Sequence, residues 1–276
     1  MNVRVSILKI ANYHILSKGL MVSQVHDGHG RASRFFTSMN ASSYDTVVRI
    51  ATFGQDYLWK RQILDVIDKH HLPCSFDTSS PSSSPTCSDD LRVRMHLDLA
   101  SGTGILSSLI ERRGNHGGQR PRNVVGLDLT FDYLRTAKKK RSAGLLTNGT
   151  AEVLPYREQS FDSVTSSYLA KYVDIERVVS ECWRVLKHRG VVVFHDFTYP
   201  SNSLARSLWN GYFKILRSAA KIVTSWAPVF RELDKVVKMS NWLEQTMQAL
   251  EGTGFKNISF RFYTMQTSAI VSANKP

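Results

Sequence analysis

"MHLDLASGTGILSSL", Met95–Leu109, is the stretch on which the reading of the chain turns. An apolar run ends in the acid Asp98. A loop of small residues with Gly102 and Gly104 follows, and helix-like spacing begins at Ile105. Strand, glycine turn and helix in that order build a nucleotide-holding loop. The glycines let backbone approach a ligand and turn sharply, and the helix aims its amide end at the site.

The surrounding chain repeats the same alternation. "RMHLDLA", "NVVGLDL", "FDSVTSSYL" and "GVVVFHDFT" read as strands, and "GILSSLIERRG", "FDYLRTAKKKRSA" and "DIERVVSECWRVLKH" as helices. Such alternation predicts a parallel sheet with helices on both faces. The C-terminal end differs. The helix "WLEQTMQALEGTGF" is closed by Gly252 or Gly254. "KNISFRFYTMQ" and "TSAIVSANKP" follow with no crossover helix between them, which predicts an antiparallel pair at the sheet edge.

In such sheets ligands sit beyond the carboxyl ends of the strands, near the switch in strand order. Asp128 ends the second strand, where a carboxylate can accept both hydroxyls of a ribose. The third glycine of a dinucleotide loop is absent, with Ser107 in its place, so a pyrophosphate is disfavoured and a nucleoside favoured.

Composition sets the outer limits. The chain has 276 residues, 42% of them hydrophobic, enough for one large domain with a sizeable core. Three cysteines, Cys74, Cys87 and Cys182, form no C-x-x-C pair. This argues against a disulfide framework or a zinc site and for a reducing compartment, so no metal and a cytoplasmic location are expected. The net charge of +13 fits nucleic acid, an anionic membrane or simply a solvated basic surface. No apolar run is long enough to span a membrane.

Residues 1–40 read as a poorly ordered basic arm. A transit peptide, or a true start at Met21 or Met39, are alternatives. The domain proper is expected over 41–276, with helices at 44–72 broken near Gly54, a Ser/Pro-rich loop at 78–90 and a helical lid insertion at 201–232. Within 203–226, Leu204, Leu208, Tyr212, Ile215, Ala219, Ile222 and Trp226 fall on one helical stripe. Arg206, Lys214, Arg217 and Lys221 fall opposite. The plain reading is a lid packed on the core; the sharper one is a helix at a membrane surface or over a lipophilic substrate. "RTAKKKR" (135–141) reads as a solvated helix face, and no nucleic acid is expected.

"LDLASGTG", "GLDLTFDYL", "NGTAEVLPYREQSFDSVTSSY" and "ECWRVLKHRGVVVFHDF" together resemble the class I S-adenosylmethionine-dependent methyltransferases. "YDTVVRIATFGQDYLWKRQIL" (44–64) adds a similarity to the ubiquinone/menaquinone-biosynthesis methyltransferase family. The resemblance implies a Rossmann-like α/β fold: a mostly parallel seven-stranded sheet with an antiparallel C-terminal edge and helices on both faces. It also implies S-adenosyl-L-methionine as cofactor and methyl transfer to carbon of a small lipophilic quinone precursor. Asp98 and the loop from Ala100 through Ser101, Gly102, Thr103 and Gly104 would line the methionine and ribose side. Asp128, with Leu129, would hold the ribose. Thr150 and Ala151, with Glu152, would flank the adenine, and Ser167 would face the cofactor.

Two departures bear on the acceptor. Ile105 stands where the family carries an acid, and Lys171-Tyr172 where it carries Arg-Asn, positions that would help hold or deprotonate a quinol. Another acceptor (a sterol, a phenol or a polyketide) therefore stays open. An RNA methyltransferase and an inactive scaffold rank behind it. Candidate bases are His195 and Asp196 at the end of the fifth strand, with Lys171 and Tyr44 behind them.

Overall fold

The computed structural model of the chain describes residues 30–70, 93–115 and 122–276. The Ser/Pro-rich loop at 78–90 and residues 1–29 of the expected arm lie outside the described residues. Within them, a helical stretch over 30–35 leads to α1 (Ser38–Ala41), α2 (Tyr44–Ala51), α3 (Gln55–His70), β1 (Arg94–Leu99), α4 (Ile105–Asn115) and β2 (Arg122–Asp128). Next come α5 (Phe131–Lys140), β3 (Leu145–Asn148), β4 (Phe161–Ser167), α6 (Ile175–Val185) and β5 (Leu186–Phe197). The chain ends with α7 (Ser203–Ala219), α8 (Ala227–Met239), α9 (Trp242–Thr253), β6 (Lys256–Tyr263) and β7 (Ser268–Asn274).

The seven strands form one sheet in the order β3-β2-β1-β4-β5-β7-β6. The pairs from β3 to β5 are parallel, and β7 runs antiparallel to both β5 and β6. The chain steps outward from β1 to β3 and then returns to β4, so the switch lies between β1 and β4. A crevice opens there beyond the strand ends.

Helices bury both faces of this sheet. Val192 and Phe194 pack with Val178, Val179 and Cys182 of α6 and Leu250 of α9. Val191 and Val193 pack with Ile63 and Ile67 of α3 and Ile110 of α4. Successive side chains of a strand point to opposite faces, so a central strand covered twice reads as the continuous run "GVVVF" rather than as alternation.

The helix expected through Ala143 ends at Lys140, where Arg141 turns left-handed with φ +53°, and three further features differ from the sequence reading. β3 is not legible in the residues: four residues on a half-exposed edge are too few to show a period. The helix expected through His188 stops at Val185, and β5 starts at once at Leu186, opposite Phe161. The partner strand overrides local helix preference there, and the register shifts before Val191 pairs with Ser163. The third correction is to the arm. Its last part, residues 30–40, is folded: Phe35 is 1% exposed among the lid residues Trp226, Val229 and Phe230.

Helix ends follow local chemistry. Asp174 caps α6 by accepting from the Arg177 amide at 3.3 Å, and Asn202 caps α7 by accepting from the amides of Leu204 and Ala205. Gly254, not Gly252, closes α9 with φ +102°.

Gly104 and Gly54 both have positive φ, +80° and +75°, but differ in surroundings. A Cβ on Gly104 would lie 2.3 Å from the Ser142 Cβ, whereas Gly54 faces open space. Gly54→Ala is therefore expected to cost about 1 kcal/mol, the left-handed penalty alone. Gly104→Ala should cost at least about twice that, because backbone or Ser142 must also move. Urea denaturation of the two variants measures the difference.

Candidate active site

The crevice at the switch is a cavity of about 370 Å³. Ala100 and Gly102 from the loop after β1 line it, as do Asp128, Leu129 and Thr130 after β2, Thr150 and Ala151 after β3, and Ser167 and Tyr168 after β4. Ala100 and Tyr168 have φ values of +52° and +67°. Non-glycine residues in that region are uncommon and concentrate at functional sites.

Asp128 organises this end of the sheet. Its Oδ2 accepts from the Gly102 amide at 2.8 Å and its Oδ1 from the Thr130 amide at 2.7 Å. Burial pushes its carboxyl above the usual carboxylate range, and the amides of Thr130 and Gly102 oppose the shift.

Several expected cofactor contacts are spent elsewhere, which corrects their placement. Asp98 does not line the cavity. It is buried behind the loop, accepting from Ser107 Oγ at 2.6 Å and Thr165 Oγ1 at 3.0 Å, and burial raises its carboxyl to about 6. Thr103 is 1% exposed, and its hydroxyl donates to Asp45 Oδ1 at 2.5 Å, fastening α2 over the loop. Gly104 packs on Ser142, and Ser101 sits beneath the loop beside Gly126. Glu152 braces the next loop, accepting from the Thr150 hydroxyl at 3.1 Å and the Asp174 amide at 2.9 Å. The Thr150 side chain is thereby occupied.

A second cavity of about 100 Å³ lies under the lid helices α7 and α8. Phe36, Tyr44, Tyr168 and Tyr172 line both cavities, so the two meet at an aromatic wall. Trp209, Phe213, Trp226 and Phe230 are among the other residues that line the second cavity, and Lys171 is the one charged group in its lining.

The candidate bases separate sharply. His195 reaches neither cavity. Its Nδ1 is 2.8 Å from Ser167 Oγ and its Nε2 2.8 Å from Ser268 Oγ, so both nitrogens are satisfied. Burial, then the nearby Lys60 and Lys171 charges, pull its imidazole down to about 3, despite Asp56. It is a neutral histidine with both nitrogens engaged and no access to either cavity, which corrects the expectation of a base at His195.

Lys171 faces the second cavity. Its Nζ donates to Asp196 Oδ1 at 2.5 Å and to the Tyr168 carbonyl at 3.0 Å. Both side chains of the pair are at most 1% exposed, and Asp196 Oδ2 has no hydrogen-bond partner. Burial drives Lys171 down and Asp196 up, each toward its neutral form, while their mutual attraction opposes this. Asp196 lines neither cavity, and its link to the second is its bond to Lys171. Tyr44 forms part of the aromatic wall, its ring 5.3 Å from Tyr133 and 5.9 Å from Trp226. Burial raises its hydroxyl well above the usual range, so it stays protonated.

Two organising groups escaped the sequence reading. Asn40 donates to the Phe35 carbonyl at 2.6 Å and the Ser225 carbonyl at 3.3 Å, and accepts from the Tyr133 hydroxyl at 2.7 Å. It ties the N-terminal segment to the lid and to α5. Tyr168 donates to Asp56 Oδ1 at 2.7 Å, and Lys60 pairs with the same oxygen. Burial works against it, but Lys60 and the Tyr168 hydroxyl hold Asp56 below the usual range. Asp56 and Lys60 stand four apart on α3, the only local hint of the pair. Among the described residues no cluster of His, Cys, Asp or Glu could hold a metal ion.

Sheet order, the glycine loop after β1 and the crevice at the switch define a Rossmann-like nucleotide-binding fold. A Thermotoga maritima structure described as an S-adenosylmethionine-dependent methyltransferase shares the fold. Its TM-score is 0.53 at 16% identity, over 87% of this chain and 98% of that one. The chain belongs to the ubiE/COQ5 methyltransferase family, whose model matches residues 25–275, so it is an enzyme that transfers methyl groups. A demethylmenaquinone methyltransferase of Lactobacillus johnsonii is 32% identical over 63% of this chain and 72% of its own length. A ubiquinone/menaquinone biosynthesis C-methyltransferase of Shewanella halifaxensis is 27% identical over 85% and 86%.

The depressed His195 imidazole carries a stability signature. The unfolded chain takes up this proton near pH 6.5 and the native state only near 3, so stability is fully present above 6.5 and is lost as pH falls. From pH 7 to 5 this amounts to roughly 2 kcal/mol. Urea melts of wild type and His195→Asn at both pH values should show that part of the slope vanishing in the variant.

Proposed function

We propose that this chain methylates a carbon of a lipophilic quinol precursor, with S-adenosyl-L-methionine as methyl donor. The observation that carries this is the meeting of the two cavities. One is polar-edged at the strand ends, with Asp128, Thr130, Thr150 and Ser167 in its lining. The other is apolar and lies under the lid helices, with one lysine, Lys171, among its lining residues. The names of the curated relatives support the same acceptor class.

The first cavity suits a nucleoside. Asp128 keeps lone pairs beyond the two that its amide partners use, and ribose hydroxyls are donors that such a carboxylate accepts. Leu129 and Ala151 offer apolar walls for a flat base, while Gly102 leaves backbone bare for close approach. When bound, S-adenosylmethionine supplies a methyl group already activated by its sulfonium. The protein's own work is then to position, exclude water and manage a proton.

Lys171 and Asp196 do the last of these. A phenolic hydroxyl resting on Lys171 passes its proton by way of the lysine to Asp196, whose carboxylate burial biases toward taking one up, and the charge of Lys171 then balances the phenolate. The phenolate makes the neighbouring ring carbon electron-rich enough to receive the methyl group. The displaced ring-carbon proton leaves to solvent, and the pair returns its proton to the oxygen. The buried, unpartnered hydroxyl of Tyr172 is a further group able to bind the ring oxygens. Lysine and tyrosine here would do the work that the family resemblance assigns to Arg-Asn.

Two measurements test the reading. Calorimetric titration with S-adenosylhomocysteine should show binding that Asp128→Ala weakens about tenfold or more. Turnover of demethylated quinols in detergent, followed by mass, should show a product heavier by one methyl. Lys171→Met should lower kcat by about 100-fold while leaving S-adenosylhomocysteine affinity within about threefold. Absence of any methylated quinol, with cofactor binding intact, would transfer the activity to another acceptor.

A further inference from the structure

The apolar stripe of the lid divides in the structure. Tyr212, Ala219 and Trp226 turn toward the interior, where Ala205, Trp209 and Phe213 form the buried face of α7. Leu204, Leu208 and Ile215 are 63%, 56% and 69% exposed, and Ile222, just past the helix end, is 84% exposed. At 100° per residue the first three share an arc of about 40°. One helix thus carries two apolar faces, and the outer one meets no other part of the described chain. Phe53, 80% exposed, extends it: its ring lies 5.7 Å from that of Tyr212.

The flanking charge is of one sign. No acid occurs between Ser203 and Arg231. Arg217 is held by Asp234, and Arg206 by the carbonyls of Pro200 and Ser201. Lys214 and Lys221 are exposed and make no ion pair among the described residues. Lys214 lies about a quarter turn from the apolar arc and Lys221 just past the helix end beside Ile222, both within reach of a plane into which that arc would sink.

The position of this face matters as much as its composition. Tyr212 and Ala51 line the second cavity from inside, and the Tyr212 hydroxyl bonds to the Ala51 carbonyl across the seam between α7 and the α2–α3 turn. The exposed Phe53 and the outer arc of α7 flank the same seam from outside.

We propose that the outer face of α7, with Phe53, docks on an anionic lipid bilayer, with Lys214 and Lys221 on lipid phosphates. The seam at Tyr212 then faces the bilayer, so a lipid-soluble acceptor reaches the second cavity without crossing water. This rests on the acceptor reading above. Charge complementarity selects the occupant: scattered apolar residues are ordinary, but an apolar arc edged by free lysines and no acid suits a negative surface.

Vesicle flotation tests the docking. The probes are vesicles of phosphatidylcholine mixed with phosphatidylglycerol, and of phosphatidylcholine alone. Wild type should float with the anionic vesicles and be released at high salt. Leu208→Gln/Ile215→Gln should stay at the bottom, and Lys214→Gln/Lys221→Gln should float less and lose its salt dependence. All these side chains are exposed, so circular dichroism and S-adenosylhomocysteine binding should be unchanged. Wild type that fails to float with anionic vesicles overturns the proposal, as does a Leu208→Gln/Ile215→Gln variant that floats equally well. Gel filtration in which that double variant turns a dimer into a monomer also overturns it, by giving the face to a second copy. Turnover of a short-chain quinol in detergent, run alongside, separates the two readings. Methylation without flotation removes the docking alone, and flotation without methylation of any quinol removes the acceptor reading alone.

Discussion

The carboxylate of Asp128 is the tie on which the site depends. A parallel sheet delivers its loops to one end but does not fix them relative to one another. Asp128 does so by taking one amide from the β1 loop and one from its own loop, and the Ser101 amide adds a bond to the Leu127 carbonyl. The cost is a buried acid, and the two amides recover part of it. Once those loops are set, Thr103 can reach Asp45, which also pairs with Lys140, and α2 is pinned over the cavity.

The second layer of organisation is aromatic. Phe35, Phe36, Tyr44, Tyr133 and Tyr172 meet edge to face at ring separations of 5.3 to 6.3 Å. Such contacts suit a wall that must be apolar yet offer hydroxyls at defined points. Asn40 holds the wall to the lid through backbone carbonyls. An N-terminal segment and an insertion some 185 positions away in sequence thus close one chamber together. Neither could shape the second cavity alone, because each supplies only one side of it.

Buried charge divides into work and scaffolding by what surrounds it. His195, Asp196, Lys171, Asp56 and Lys60 are all buried, and His195 feels the charges of Lys60, Asp56 and Lys171. His195 is clamped by two serine hydroxyls and stays neutral. Asp56 is committed to Lys60 and Tyr168. Among these groups only the Lys171–Asp196 pair combines a cavity-lining residue with a carboxylate oxygen that has no partner. Removing one partner of such a pair leaves an uncompensated charge, so its members report on each other in any variant.

The order of strands and helices, the turn at Gly102 and Gly104, the acid at Asp128 and the antiparallel end were all legible in the residues. Each follows from short-range rules: side-chain period, the backbone freedom of glycine, and the fact that strands joined without a crossover pair antiparallel. β3 was too short to read, and the start of β5 was set by its partner strand rather than by its own residues. Which polar groups face a ligand was not legible either. Asp98, Thr103 and His195 have the right chemistry at the right strand ends, yet Ser107, Asp45 and the serines beside His195 consume them. The lid stripe likewise looked like one apolar face. Period alone does not tell which edge of a broad stripe will find a core, and only the packing of α7 against α8 and the N-terminal helices left Leu208 and Ile215 outside. Sequence determined the elements because their causes are local. Tertiary structure decided the site because hydrogen-bond partners and burial are set by residues far apart in the chain.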